Sequence, residues 1–168
     1  MKWEEFVEKV KGWANARNLI KGSTAQAQAL KGLSEAGELA DNVAKGNLDK
    51  IKDDIGDNCV VAVIVNSIIG ADSPQPDITH PSMLGDKYDI MSDIASDWAY
   101  YLDGHDDAGT DIPFYCQALA IHLRIDFEEC LEQAWNDIKD RVGIMHNGVF
   151  VKSSDSRYEE ICKLYATQ

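Results

Sequence analysis

The sequence predicts an all-α protein, a bundle of about five to six helices with a short C-terminal extended turn segment, and three observations carry that prediction. Apolar residues recur at helical spacing, as in Phe6, Val10, Trp13 and Ala14 at i, i+4, i+7 and i+8. Capping residues and glycines fall at the ends of such stretches. The longest apolar run, Cys59 to Val65, lies inside a stretch of about twenty residues between Asn47 and Gly70, a length that favours a central helix over a buried strand.

Taken in order, the first helix is expected over Trp3 to Leu19. Ser23 opens the second as N-cap, with Gln26 three residues on completing a capping-box pattern, and Gly46 closes it. Asn47 caps a third helix over Leu48 to Ile69, ended by Gly70. Residues 71–86 hold three of the four prolines and read as a long connecting loop. A fourth helix spans Lys87 to Leu102, followed by a joint rich in Gly and Asp from Asp103 to Asp111. That joint is no calcium loop, because its sixth position is not glycine and Phe114 stands where a bidentate Glu belongs. A fifth helix runs from about Pro113 to Leu123, and a sixth from its cap Asp126 to about Val142. His146-Asn147-Gly148 before Val149-Phe150-Val151 reads as a tight turn into an extended segment.

With 168 residues and 45% apolar content, the chain is expected to form one domain, 1–168, with a core that needs no disulfides. Cys59, Cys116, Cys130 and Cys162 are scattered, as are His80, His105, His122 and His146, so neither a zinc site nor a disulfide framework is indicated. Met1-Lys2-Trp3-Glu4-Glu5 lacks the basic start and apolar stretch of a secretory signal, and no apolar run approaches the roughly 20 residues of a membrane span, so the expected location is the cytoplasm without a membrane partner. A net charge of -13 disfavours a nucleic-acid partner, since phosphate contacts need clustered Lys and Arg.

Most of the 29 acidic residues form a solvated surface, but two pairs are placed otherwise. Glu35 and Glu38 lie three apart on the second helix, and Asp54 and Asp57 three apart on the third, so each pair spans about 60° of one helix face. Val61, Ile64, Val65 and Ile68 continue the face of the second pair, and that stripe is expected to be buried. Antiparallel packing across Gly46-Asn47 would bring the four carboxylates together. At about 6 Å and an effective dielectric of about 20, each like-charged pair costs ~3 kcal/mol, which a divalent cation would relieve. All-oxygen ligands point to Mg²⁺, with Mn²⁺ as the alternative, and Mg²⁺ commonly shares its shell with a substrate's phosphates.

Gln28-x-x-Lys31-x-x-x-Glu35-x-x-Glu38-Leu39, followed by Asp53-Asp54-Ile55-Gly56-Asp57, resembles the E-x-x-E, then E-x-x-D, signature of the MazG-like all-α nucleotide pyrophosphohydrolases. Trp135-x-x-Ile138-Lys139-x-Arg141-x-Gly143, running on to Asn147-Gly148-Val149-Phe150-Val151-Lys152, is similar to a tail common in that superfamily. Asp54 departs from the pattern, standing where the family usually has Glu, and Ser34 replaces a frequent second Glu.

The resemblance implies a Mg²⁺-dependent nucleoside triphosphate pyrophosphohydrolase, with Glu35, Glu38, Asp54 and Asp57 as metal ligands and monophosphate plus pyrophosphate as products. It implies Glu38 as the group nearest the attacking water, and Lys139, Arg141, Asn147 and Lys152 as holders of the triphosphate tail. Lys31 shares the helix face of both glutamates, where its ammonium could meet a phosphate as a catalytic and substrate-binding group or simply pair with Glu35. Trp13 offers a stacking face for the base or an apolar side chain for the core. Relatives acting on dUTP, dCTP or phosphoribosyl-ATP share the signature, and a non-catalytic acidic binding protein would carry the same carboxylates as a solvated face. Because one helical hairpin leaves a nucleotide open on a side, a homodimer or higher homo-oligomer is expected.

Overall fold

The computed structural model describes residues 1–78 and 85–165, so His80 and part of the proline-rich connection lie outside the described residues. The chain is predominantly helical, in the order α1 (Trp3–Ala16), α2 (Leu19–Gly22), α3 (Ala25–Lys45), α4 (Leu48–Ile69), α5 (Lys87–Leu102), α6 (Ile112–Leu123), α7 (Phe127–Ile138), β1 (Gly143–His146), β2 (Val149–Lys152) and α8 (Tyr158–Tyr165). Among the described residues no helix is long and apolar enough to cross a membrane.

The apolar run of α4 explains the architecture. Every residue from Asn58 to Asn66 is buried, so this helix has no solvent face over that length and must be surrounded. α3 packs along it most extensively, with α1, α2, α6 and α7 covering the remaining sides, and α5 seals the outer faces of α3 and α6. The antiparallel α3–α4 hairpin turns where expected, with Gly46 in the left-handed conformation at φ +69°. α4 and α7 approach so closely at Gly56 that an added Cβ would lie 2.5 Å from both the Ala134 Cβ and the Cys130 carbonyl oxygen. Gly56→Ala should therefore push α7 away and cost about 1–3 kcal/mol, read as a lower denaturation midpoint in urea; an unchanged midpoint would contradict this close packing.

Several boundaries differ from expectation for local reasons. α1 stops at Ala16 because Asn18 adopts the left-handed region at φ 55°, and Leu19 then begins a separate one-turn helix. Thr24 rather than Ser23 caps α3, its hydroxyl accepting from the Ala27 amide at 3.1 Å. Asn47 makes no side-chain cap at α4, whereas Asp126 caps α7 through the Glu128 and Glu129 amides. α7 itself ends at Ile138, short of Val142.

The tight turn is a hairpin: β1 and β2 pair antiparallel from Gly143↔Lys152 to His146↔Val149, with Asn147 (φ 49°) and Gly148 (φ 77°) at its tip. Beyond the expected elements, α8 packs Ile161 onto Ile144 and Val151 as a small satellite core.

Candidate functional site

α3 and α4 each bring one member of their acidic pair, Glu35 and Asp57, to the wall of a cavity of about 330 Å³, while Glu38 and Asp54 do not line it. Trp13 and Leu19 wall this cavity from α1 and α2, Val60, Val61 and Ile64 from α4, and Met145 and Phe150 from the hairpin. The polar lining is Ser23, Gln28, Lys31, Glu35, Asp57 and Arg141. The stripe of Val61 and Ile64 beyond Asp57, expected to be buried, is the apolar floor onto which the acidic end opens.

Glu35 is buried and pairs with the Lys31 ammonium one turn earlier, so the i, i+4 salt bridge is present and also borders the cavity. Asp57 is half-buried; burial first, then the carboxylates of Glu35 and Asp53, push its carboxyl up to about 7, with Arg141 and Lys31 opposing. Asp54 is buried, and its Oδ2 accepts from Asn42 Nδ2 at 2.7 Å. Burial raises its pKa, the Asn42 bond opposes this, and Asp53, Glu38 and Glu35 add to the rise. Asp53 is likewise raised by burial and by Asp137 of α7, and one of its oxygens is buried without a hydrogen-bond partner among the described residues. Glu38 is exposed at the edge of the group.

The expected convergence is thus one of field rather than a closed shell. Glu35 and Glu38 both lie near enough to add to the rise at Asp54, and Glu35 near enough to add to that at Asp57. Among the described residues, however, no group of three or more His, Cys, Asp or Glu side chains is gathered closely enough to hold an ion as it stands. Lys31 engages Glu35 and Asn42 engages Asp54, so both partners would have to yield. The donor chemistry nonetheless fits a hard divalent cation, because the set is all oxygen and carries a surplus of negative charge that Lys31 and Arg141 offset only in part.

The remaining expected residues divide. Arg141 reaches the cavity, its Nε donating to the Asp137 carbonyl at 3.0 Å. Trp13 is a half-buried side chain packed on the core, the second of its two expected roles, and it also walls the cavity, stacked on Phe150 with centroids 6.4 Å apart. Lys139, Asn147 and Lys152 do not line the cavity: Lys139 Nζ donates to Asn136 at 2.7 Å, the Asn147 side chain lies 3.2 Å from His146 Nε2, and Lys152 is exposed at the end of β2. That stretch leaves the helix after Ile138 and enters the hairpin at Gly143, which separates residues close in sequence.

Gln28, Ser23, Asn42, Asp53 and Phe150 belong to the site without having been singled out as functional. Gln28 was detectable, since it shares the helix face of Lys31 and Glu35 at i, i+3 and i+7. Phe150 and Ser23 come to the cavity only through tertiary folding.

No family model matches the chain, and no solved structure matches it. Over 62 residues it is 45% identical to an uncharacterized 18.2 kDa protein in the rep-hol intergenic region of Haemophilus phage HP1 (strain HP1c1). The matched stretch is 37% of this chain and 38% of that protein, so the chain spans less than two fifths of the relative's length.

Proposed function

We propose that the chain is a Mg²⁺-dependent nucleoside triphosphate pyrophosphohydrolase that cuts between the α and β phosphates, of the MazG-like type its signature resembles. The supporting observation is the shared ownership of Glu35 and Asp57: both belong to the surplus of carboxylates on the α3–α4 hairpin and both border the apolar-walled cavity. A cation-hungry acidic end beside a recess with aromatic walls suits a ligand that is phosphate at one end and ring at the other.

Glu35, Glu38, Asp54 and Asp57 would hold the ion, whose chemistry when bound is polarisation of the α-phosphate and activation of a water. Lys31, released from Glu35, is placed to neutralise phosphate charge on the same helix face. Arg141, on the cavity lining, would take the outgoing pyrophosphate end, and Glu38, exposed at the edge of the group, would accept the proton of the attacking water. Trp13 and Phe150 exclude water from the base side.

The direct test is pyrophosphate release from a panel of nucleoside triphosphates with Mg²⁺, abolished by chelation; no release from any of them would overturn the proposal. Mg²⁺ should also raise the melting temperature markedly, whereas an acidic scaffold that binds basic partners gains only weak screening.

Assembly follows from what the cavity leaves outside it. Lys139, Asn147 and Lys152 are cationic or polar groups without a place in their own cavity, and Val142, Val149 and Leu164 are exposed on and beside the hairpin. A homo-oligomer, most simply a dimer, would cover that apolar surface and carry those groups to a neighbour's site. Light scattering at micromolar concentration should give at least twice the 18.6 kDa chain mass; a fully active single chain would refute it.

A further inference from the structure

Beyond its acidic end, the cavity has a polar feature that phosphate and metal chemistry leave unused. Gln28 stands on α3 on the face of Lys31 and Glu35 and lines the cavity beside Ser23. Its side chain is buried, only 7% exposed, and its amide nitrogen donates to Ser23 Oγ at 3.0 Å. One of the nitrogen's two N–H groups goes to that serine, which holds the nitrogen end of the amide there and turns its oxygen to the other side. That oxygen has no protein partner among the described residues, yet it is not sealed from solvent as the orphaned atoms of Trp13, Asp53 and Gln117 are.

Seven residues of helix put Gln28 about 10 Å along the axis from Glu35. That is the scale separating the α-phosphate of one nucleotide from the edge of its base, with the sugar between. Leu19 and Ala27 give this end of the recess an apolar lining suited to a ring. With the nitrogen end of the amide held at Ser23, the oxygen on such a wall favours a donor, because a keto oxygen facing it would leave two acceptors opposed and desolvated.

We infer that Gln28 is the base-reading residue, its amide oxygen accepting from an exocyclic amino group, so that the substrates are nucleotides of cytosine or adenine rather than their keto counterparts. This rests on the proposed pyrophosphohydrolase function and gives that site its substrate class.

The test compares pairs that differ only at the exocyclic group, CTP with UTP and ATP with ITP, by pyrophosphate release with Mg²⁺. The amino member of each pair should be favoured at least about tenfold in kcat/KM, mainly through KM. Gln28→Leu should bring the ratio below about threefold, while Gln28→Glu, which keeps an acceptor, should retain the amino preference and guards against a misfolded leucine variant. Equal release from both members, a preference for UTP and ITP, or a preference that survives in Gln28→Leu overturns the inference and leaves the pyrophosphohydrolase proposal standing. Release from no triphosphate overturns that proposal instead. Calorimetry of the metal-free protein then decides the inference separately: tighter binding of CMP than UMP supports it, and equal or reversed binding ends it.

Discussion

Asp57→Asn is expected to lose at least about a hundredfold in pyrophosphate release while making the metal-free protein more resistant to heat. Both effects have one origin. Asp57 is held up to about 7 by burial and by Glu35 and Asp53, so in the absence of a cation its charged form is disfavoured in the fold. A carboxyl whose folded pKa lies above its unfolded value binds its proton more tightly when folded. Its stabilising contribution is therefore complete below the unfolded value, about 4, and is lost as pH rises through about 7. Metal-free wild type should accordingly melt at falling temperature between pH 5 and pH 8, and the asparagine variant should show a flatter profile and a higher melting temperature at pH 8. Added Mg²⁺ should restore the wild type at pH 8 and do little for the variant. Activity within threefold of wild type, or parallel pH profiles, would remove Asp57 from the metal site.

Trp98→Ala carries the largest expected loss of stability. Trp98 on α5 is fully buried, and its ring lies so close over Gly32 of α3 that a Cβ there would meet it at 2.5 Å. Its Nε1 donates to Asn58 Oδ1 at 3.0 Å, and Asn58 in turn donates from Nδ2 to the Asp54 carbonyl at 2.8 Å. Removal leaves a large cavity, costing about 3–5 kcal/mol, and strands the fully buried Asn58 oxygen at a further cost of about 1–3 kcal/mol. Since the same chain of bonds braces α4 at Asp54, the variant should also bind Mg²⁺ more weakly at temperatures where it remains folded. Urea denaturation with calorimetric Mg²⁺ titration measures both; an unchanged midpoint would refute the bracing role.

The helical hairpin was legible because its signals are local and redundant. Gly46 and Gly70 both sit at positive φ at the ends of α3 and α4, and the apolar run of α4 is long enough to choose helix over strand. Ser23 and Thr24 are adjacent hydroxyl residues that fit the same cap, and sequence alone does not say which one the chain extends through; Ser23 turned out to hold Gln28 instead. The break at Asn18 depends on a left-handed residue that is not glycine, a conformation asparagine tolerates without announcing. α8 had a readable stripe in Tyr158, Ile161, Cys162 and Tyr165, but it is short and stable only against the hairpin.

The candidate site was legible as a set of carboxylates and not as a recess. Periodicity assigns Glu35 and Asp57 to facing helices, yet the cavity they border is also built by Trp13, Leu19 and Phe150, which lie far apart along the chain. The tail residues went the other way: Lys139, Arg141, Asn147 and Lys152 are close in sequence, but the hairpin sends only Arg141 of these four to the recess.

Product analysis tests the central claim most directly. The protein, incubated with Mg²⁺ and a nucleoside triphosphate such as CTP, is sampled during the first turnovers and its products separated by anion exchange. Cleavage at the α–β bond predicts monophosphate and pyrophosphate appearing together in equal amounts, with neither formed by the Asp57→Asn protein. Diphosphate and orthophosphate as the first products would contradict it.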